Sequence, residues 1–184
     1  MDLQCIPKRS SLKKEKLPFF FLIWYNIEVF EKVIGMFKLK LVMSNDEINQ
    51  FENNRIESFG YQKSFDNVEE TPYYDAIING DMLAFNCLED EKVIGGILIN
   101  LEENNLYIDK LFVLPEEREK GAGTFMLKYI EKNKYYFEDY YGLNIKRITL
   151  EPLETAVDFY HENGYISSGF QMYKKYWKRK NNML

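Results

Sequence analysis

The sequence predicts an α+β domain in α/β/α layers, with about four helices on a mixed, mostly antiparallel sheet of six or seven strands. Three observations lead to this fold class. Three apolar segments follow one another between residues 82 and 113 with only short polar turns between them, as in an antiparallel meander. A two-glycine turn and a helical pattern come next, and two short strand patterns around a Ser-Ser-Gly turn close the domain.

Composition and charge narrow the class of protein. The chain has 184 residues, 46% of them hydrophobic, which suits one domain with a sizeable core. The formal net charge of −5 argues against nucleic acid as a partner, because nucleic-acid-binding domains usually carry a basic footprint. The single histidine, His161, excludes a metal site built from several histidines. Cys5 and Cys87 offer no metal-binding spacing and no disulfide framework, so we expect a cytoplasmic protein.

Residues 1–36 differ from the rest of the chain and are treated as an N-terminal extension. Basic residues come first, and the apolar run 17–25 that follows resembles the start of a signal peptide. No small-residue cleavage site follows the run, and it is far shorter than the roughly 20 residues that span a bilayer. Composition favours the interpretation that translation begins at Met36. The alternative is a helix over 19–34 that packs against a partner or a membrane surface.

The rest of the chain divides into a domain at 37–178 and a basic tail at 179–184. Hydrophobic periodicity predicts strands at 37–43, 82–88, 93–101, 106–113 and 146–150, helices at 49–59, 67–79, 121–136 and 154–163, and a closing hairpin at 165–177. Ser44 or Asn45 is the expected cap of the first helix, and Gly60 ends it. Gly95-Gly96 inside a strand indicates a bulge or a close backbone approach.

The turn from Arg118 to Thr124 joins the third strand of the meander to a helix. Backbone N–H groups at a helix start lack intrahelical partners, and together with the positive end of the helix dipole they favour phosphate. An ordinary strand–turn–helix connection is the alternative for two glycines alone. Gly121-Ala122-Gly123-Thr124 has neither the spacing nor the lysine of a Walker loop, and it lacks the third glycine of a dinucleotide fingerprint.

Two sequence blocks resemble the GNAT superfamily of acyl-CoA-dependent N-acetyltransferases. The first runs without a gap from Val113-Leu114-Pro115 to Arg118-Glu119-Lys120-Gly121-Ala122-Gly123. The second is Ala156-Val157-Asp158-Phe159-Tyr160-His161-Glu162-Asn163-Gly164-Tyr165. The blocks stand in the family order, and the resemblance covers about residues 37–176. Leu153 stands where many members carry asparagine, and the amino-terminal half matches in layout only.

The resemblance implies acetyl-CoA as co-substrate and no metal. It places the cofactor where the strands at 106–113 and 146–150 splay apart, with the backbone of Phe112 and Val113 pairing with the pantetheine arm and an N–H near Val113 polarising the thioester. The turn would hold the pyrophosphate, and Arg118 and Lys120 would add charged contacts. The implied cofactor-binding residues are Leu111, Phe112, Val113, Arg118, Glu119, Lys120, Gly121, Ala122, Gly123 and Thr124.

The resemblance also implies a general acid, Tyr160, which would protonate the CoA thiolate. A tyrosine pKa of about 10 suits proton donation to an alkyl thiolate, whereas helical spacing alone indicates a core aromatic. The base is Asp109 or Glu151, and either could instead be a solvated or salt-bridged acid. His161 points away from Tyr160 on the helix and is expected at the surface.

The acceptor is the least determined part of the function. The acidic, aromatic stretch at 66–75 is either a solvated face or the wall of a pocket for cationic amines. A small-molecule or protein amine is therefore expected as acceptor. We expect no membrane partner. A catalytically silent acyl-CoA-binding module on the same fold is the alternative function, and a homodimer is expected by analogy alone.

Overall fold

The computed structural model describes residues 37–60, 71 and 73–176. Predictions for the extension 1–36 and the tail 179–184 therefore lie outside the described residues, as does most of the amino-terminal half of the helix predicted at 67–79. In the described part, four α-helices accompany one seven-stranded sheet. The strands are β1 (Phe37–Leu41), β2 (Met82–Glu89), β3 (Lys92–Glu102), β4 (Asn105–Val113), β5 (Arg147–Leu150), β6 (Ile166–Ser168) and β7 (Gln171–Lys175). The helices are α1 (Asn45–Phe59), α2 (Tyr74–Asn79), α3 (Ala122–Tyr141) and α4 (Val157–Glu162), with short 3-10 turns at Pro115–Glu117 and Glu154–Ala156.

The strands lie in the order β1-β2-β3-β4-β5-β7-β6. Strand β4 pairs with β5 in parallel, and the other five pairs of neighbours are antiparallel. This mixed, mostly antiparallel sheet with four helices confirms the predicted fold class. The parallel pair needs a long crossover connection, and α3 supplies it.

Helix α3 is longer than the sequence pattern predicted. It was expected over 121–136, and it continues to Tyr141 through a tyrosine-rich segment for which the pattern predicted no element. Neither glycine nor proline interrupts residues 124–141, so nothing in the backbone ends the helix there. Gly142 then adopts a left-handed conformation with φ of 63° and ends α3.

Helix α1 begins in a complete capping box, and its cap is Ser44, one of the two residues that the sequence predicted. The Ser44 hydroxyl accepts a hydrogen bond from the Glu47 N–H at 3.3 Å, and the Glu47 carboxylate accepts one from the Ser44 N–H at 3.1 Å. Gly60 ends the helix in a left-handed conformation. Helix α1 is therefore satisfied within itself at both ends, unlike α3.

The main core cluster lies between the sheet and the first two helices. Its buried members are Val42, Ile48, Phe51, Ile77, Ala84, Leu98 and Phe112. Leu111 precedes Phe112 in β4 and by strand alternation faces the other side of the sheet, where its Cδ2 approaches Gly123 at the start of α3. Helices α1 and α2 thus cover one face, and α3 covers the other.

The glycine pair in β3 shows both of the predicted features. Cys87 pairs with Gly95 and Leu88 pairs with Val93, so Ile94 is the extra residue of a bulge. A Cβ on Gly95 would lie 2.5 Å from the Phe112 carbonyl oxygen. A Cβ on Gly96 would lie 2.6 Å from the Phe51 ring and 2.8 Å from the Phe112 ring. The rings of α1 and β4 therefore approach the sheet at a position without a side chain.

Replacing Gly96 with alanine tests this packing. The added methyl must displace the rings of Phe51 and Phe112 in a close-packed core, so we expect a loss of about 1–3 kcal/mol in the free energy of unfolding. Denaturant unfolding measures it. Gly142→Asn is the control, since a Cβ there meets nothing within 4 Å and asparagine tolerates the left-handed conformation. An equal loss in both variants would contradict the packing argument.

Candidate active site

The gap between β4 and β5 is the main feature of the candidate site. The parallel pairing runs from Asn105 opposite Arg147 to Ile108 opposite Leu150 and then stops. Strand β4 continues to Val113 beside β3 alone. The start of the parallel pair is fastened by buried hydrogen bonds of 2.8 and 3.0 Å between the Asn105 amide and the Thr149 hydroxyl. The two strands thus begin together and separate at their carboxyl ends, as the sequence analysis expected of these segments.

A bulge in β4 marks the point of separation. Leu98 pairs with Lys110 and Ile99 pairs with Ile108, so Asp109 is the extra residue. A bulge bends its strand and increases the local twist. Strand β4 therefore turns away from β5 at the residue that the sequence analysis named as a candidate base.

The alternation of the ladder decides which backbone groups face the gap. The Leu114 N–H donates to the Ile94 carbonyl at 2.9 Å, so the next hydrogen-bonded pair in the register is Gly96 and Phe112. Leu111 and Val113 lie in the intervening pairs, and their N–H and C=O groups point away from β3. The open edge of β4 thus offers Leu111 and Val113, while the backbone of Phe112 is committed to β3.

The turn after β4 exposes donors at the start of α3. Glu119 and Gly121 have positive φ values of 64° and 93°, and such alternation aims successive N–H groups into a concavity. No side chain caps the helix, and its first turn contains no acidic residue. The N–H groups of Ala122, Gly123 and Thr124 therefore lack the partners that α1 finds in its capping box. This uncapped end adjoins the open edge of β4.

The two cations of the turn are engaged by the protein. The Arg118 guanidinium donates to the Val113 carbonyl at 3.3 Å and to the Ser58 carbonyl at 2.7 Å. The Lys120 ammonium lies 2.6 Å from Glu117, a carboxylate that also pairs with Lys92. Ionic hydrogen bonds to Lys120 and then Lys92 lower the pKa of Glu117. Arg118 therefore ties the turn to β4 and to α1, a role that requires Ser58, which lies 60 residues earlier in the sequence.

Tyr160 is held by the turn that ends α4. The Gly164 N–H donates to the His161 carbonyl at 2.9 Å, and the Tyr165 N–H donates to the Tyr160 carbonyl at 3.0 Å. With Gly164 at φ of 83°, this is a Schellman motif. The hydrophobic contact that accompanies such motifs is the edge-on pair of the Tyr160 and Tyr165 rings, with centroids 5.8 Å apart. The glycine that the sequence analysis expected as a cap thus fixes the backbone of Tyr160.

The surroundings of the Tyr160 side chain are apolar. The residue is 7% exposed, and its ring also meets the Phe159 ring edge-on at 5.0 Å. Among the described residues, none forms a hydrogen bond with its hydroxyl. Burial raises the pKa of Tyr160 to about 12, because the phenolate would lose its hydration. The phenol therefore stays protonated at physiological pH.

Phe159 connects this helix to the turn. A Cβ on Gly123 would lie 3.0 Å from the Phe159 ring and 3.8 Å from Leu111 Cδ2. The start of α3, the open part of β4 and α4 consequently meet at Gly123, and this glycine allows their close approach. The structure thus brings the turn and Leu111, which the sequence analysis assigned to the cofactor site, together with Phe159, the neighbour of the predicted acid Tyr160.

Two carboxylates surround Tyr107 on the face of the sheet that α1 and α2 cover. Burial raises the pKa of Tyr107, and the negative charges of Glu151 and then Asp109 add to the effect. Asp109 also forms an ion pair with Lys110 at 2.8 Å, and Lys110 lies 5.4 Å from the centre of the Tyr73 ring. Both candidate bases are therefore near one tyrosine, and each has a partner: Gln171 donates to Glu151 at 3.3 Å.

His161 lies at the surface, as expected. Its ring nitrogens contact the Tyr165 carbonyl at 3.1 Å and the Ser167 hydroxyl at 3.2 Å. In the described part of the chain, no cluster of histidine, cysteine and acidic residues could hold a metal ion. No helix there combines the length and apolarity that crossing a bilayer requires.

Sequence reasoning missed the contacts that hold the turn. Glu117 is buried between Lys92 and Lys120, although it reads as one of several surface acids. The Ser58 carbonyl is a backbone acceptor, which no side-chain pattern reveals. A charged run that alternates acids and bases, as at 116–120, was the one available signal for Glu117.

Solved structures of other acetyltransferases share this fold. The PaiA N-acetyltransferase from Thermoplasma acidophilum in complex with coenzyme A is 20% identical, with a TM-score of 0.55, over 76% of this chain and 99% of that one. The spermidine N-acetyltransferase from Vibrio cholerae in complex with CoA and spermine is 17% identical, with a TM-score of 0.58, over 77% and 96%. An aminoglycoside acetyltransferase from an uncultured soil metagenomic sample, in complex with sisomicin, is 16% identical, with a TM-score of 0.59, over 79% and 98%. At these identities the likeness shows the fold.

The family itself is shown by sequence. No curated protein matches the chain. The family model described as "Acetyltransferase (GNAT) family" matches residues 43–165, which is more than half of the chain and spans both blocks of the resemblance. This protein therefore belongs to the GNAT family of acetyltransferases.

Proposed function

We propose that this protein transfers the acetyl group of acetyl-CoA directly to a primary amine. The observation that carries the proposal is the meeting of an open strand edge, an uncapped helix start and the Phe159 ring around Gly123, with the buried Tyr160 ring in edge-on contact with Phe159. The strand edge suits an amide-containing arm, the helix start suits a pyrophosphate, and the phenol suits a leaving thiolate. Acetyl-CoA contains all three.

The donor would be held mainly by backbone. The N–H groups from Gly121 to Thr124 would bind the pyrophosphate, where the helix dipole adds to their attraction. The exposed N–H and C=O groups of Leu111 and the N–H of Val113 would pair with the pantetheine arm as an added strand. One of these N–H groups would polarise the thioester oxygen.

Cys87 is a buried free thiol, which fits the reducing cytoplasm as the compartment.

The transfer moves one acetyl group and one proton. The neutral amine attacks the thioester carbonyl, so that a C–N bond forms and the C–S bond breaks. The phenol of Tyr160 gives its proton to the leaving thiolate, and Asp109 removes a proton from the amine nitrogen directly or through a water molecule. The two proton transfers offset each other, and solvent returns the proton to Tyr160.

The acceptor would carry positive charge. Glu151 and Asp109 flank Tyr107 at the mouth of the gap, Glu102 adds a weaker negative charge, and of these four charged side chains Lys110 alone is positive. Solved structures with the same fold include a spermidine acetyltransferase with spermine and an aminoglycoside acetyltransferase with sisomicin. A small cationic polyamine or amino sugar therefore fits this chain better than an anionic amine.

An acceptor screen tests the proposed function. Free CoA release is followed with acetyl-CoA and a panel of polyamines, aminoglycosides, amino acids and peptides. We expect turnover with cationic small amines, and thermal stabilisation by acetyl-CoA but not by ATP or NAD. Stabilisation by acetyl-CoA without turnover on any amine would instead indicate a silent acyl-CoA-binding module. Stabilisation by ATP or NAD alone would contradict the proposal altogether.

Tyr160→Phe tests the general acid. Removal of the hydroxyl should lower kcat by about 10²-fold while the Kd for acetyl-CoA stays unchanged, because the ring and its packing remain. The pH profile gives a second measurement. The donor is the protonated phenol, and its pKa is raised to about 12, so activity should rise as the amine loses its proton and should not fall again below about pH 11. An unchanged kcat in Tyr160→Phe would remove the role.

The choice between the two carboxylates needs a matched pair of variants. We expect Asp109→Asn to lower kcat by about 10²-fold, because it removes a base at the bulge where β4 leaves β5. Glu151→Gln should mainly raise KM for a cationic acceptor, since Glu151 contributes charge at the mouth. Steady-state kinetics with one amine separates the effects. A larger loss of kcat in Glu151→Gln would exchange the two roles.

A further inference from the structure

We propose that Lys174 is a positioning residue for Tyr160, acting through a clamp that joins β7, α3 and the end of α4. The clamp consists of Lys174, Glu131 and the backbone carbonyl of Asn163. This inference rests on the proposed function, because the role it assigns is to aim the phenol at the leaving thiolate. The two side chains of the clamp, Lys174 and Glu131, lie outside both blocks of the family resemblance.

The clamp is a compact set of ionic hydrogen bonds. The Lys174 ammonium lies 2.9 Å from each oxygen of the Glu131 carboxylate and donates to the Asn163 carbonyl at 2.8 Å. The side chains of Lys174 and Glu131 are 28% and 14% exposed, so the pair is partly shielded from water. Within the described residues, Lys174 is the one cation paired with Glu131. Removing it would leave a half-buried carboxylate and a helix-end carbonyl without their donor.

The clamp and Tyr160 share one turn of chain. Asn163 is the residue that follows the last turn of α4, and its N–H donates to the Tyr160 carbonyl at 3.1 Å. Lys174 therefore binds the carbonyl of the turn at Asn163, and the N–H groups of the same turn donate to the Tyr160 carbonyl. A shift of this turn relative to α3 would move Tyr160 with it.

Ring packing provides a second connection. The Lys174 ammonium lies 5.6 Å from the centre of the Tyr165 ring, a cation–π distance. The Tyr165 ring in turn meets the Tyr160 ring edge-on. Burial raises the pKa of Tyr165 and the negative charge of Glu131 adds to the effect, so both side chains of the clamp lie close to this ring.

Tyr160 depends on such support because its own hydroxyl is not anchored. No described residue forms a hydrogen bond with it, so only packing and the backbone turn determine where the phenol points. A displacement of about 1 Å at a reacting group can cost on the order of 10²-fold in rate. The position of the turn is therefore a direct determinant of turnover.

Lys174→Met, which keeps a long side chain and removes the charge, tests the proposal. We expect kcat to fall by roughly tenfold with an unchanged Kd for acetyl-CoA, and Lys174→Arg to recover most of the activity. Lys134→Met is the matched control. Lys134 lies on α3, pairs with Glu138 at 3.3 Å and is 10% exposed, more shielded than Lys174, but its ring contacts are with Tyr135 and Tyr176 and not with the turn of α4. Its kcat should stay within about twofold of the wild type once stability is matched.

A double-mutant cycle and a spectrum distinguish positioning from general stability. In the Tyr160→Phe background, Lys174→Met should cause no further loss of kcat, since there is no phenol left to aim. With ¹³Cζ-labelled tyrosine, the NMR signal of Tyr160 should shift in Lys174→Met and not in Lys134→Met. Unmoved Tyr160 signal with full turnover in Lys174→Met would overturn the inference. A shifted signal in a protein that acetylates no amine would instead contradict the proposed function and leave the clamp standing.

Discussion

The end of the pairing between β4 and β5 is the constraint on which the rest of this structure depends. Two neighbouring parallel strands that stay together along their full length would leave no edge for a ligand. Here Asn105 and Thr149 fasten the beginning of the pair, and the bulge at Asp109 bends β4 away after Ile108. The exposed groups of Leu111 and Val113, the direction of the following turn and the arrival of α4 beside Gly123 all follow from that separation.

The same site shows how a protein keeps donors free while holding its own shape. Helix α1 fills its first turn with a capping box, and α3 leaves its first turn unfilled. The amino-terminal end of α3 has no capping hydrogen bonds from side chains, and other contacts hold the turn that precedes it. Arg118 binds the carbonyls of Val113 and Ser58, and Glu117 holds Lys92 and Lys120. The side chains therefore shape the turn, and the backbone N–H groups at the start of α3 are left without intrahelical partners.

The sequence was sufficient for much of the fold. Strand alternation predicted the meander from β2 to β4. The glycine pair in β3 predicted a bulge or a close backbone approach, and the structure has both, with the bulge at Ile94 and the approach of Phe112. The full length of α3 was missed, because helical periodicity is weak in a segment where tyrosines fall on all sides. The Schellman turn after α4 was half predicted: Gly164 marked the cap, but the ring contact between Tyr160 and Tyr165 required the folded hairpin.

By itself the sequence determined the order of the elements, the family and the position of the two-glycine turn at the start of α3. These properties depend on local periodicity, on glycine positions and on two contiguous blocks, and all of them are readable along the chain. Only the tertiary structure decided which backbone groups are open, which partners occupy Arg118 and Lys120, and how far burial raises the pKa of Tyr160. Those properties depend on register, dielectric environment and contacts between residues as far apart as Ser58 and Arg118, for which linear spacing carries no information.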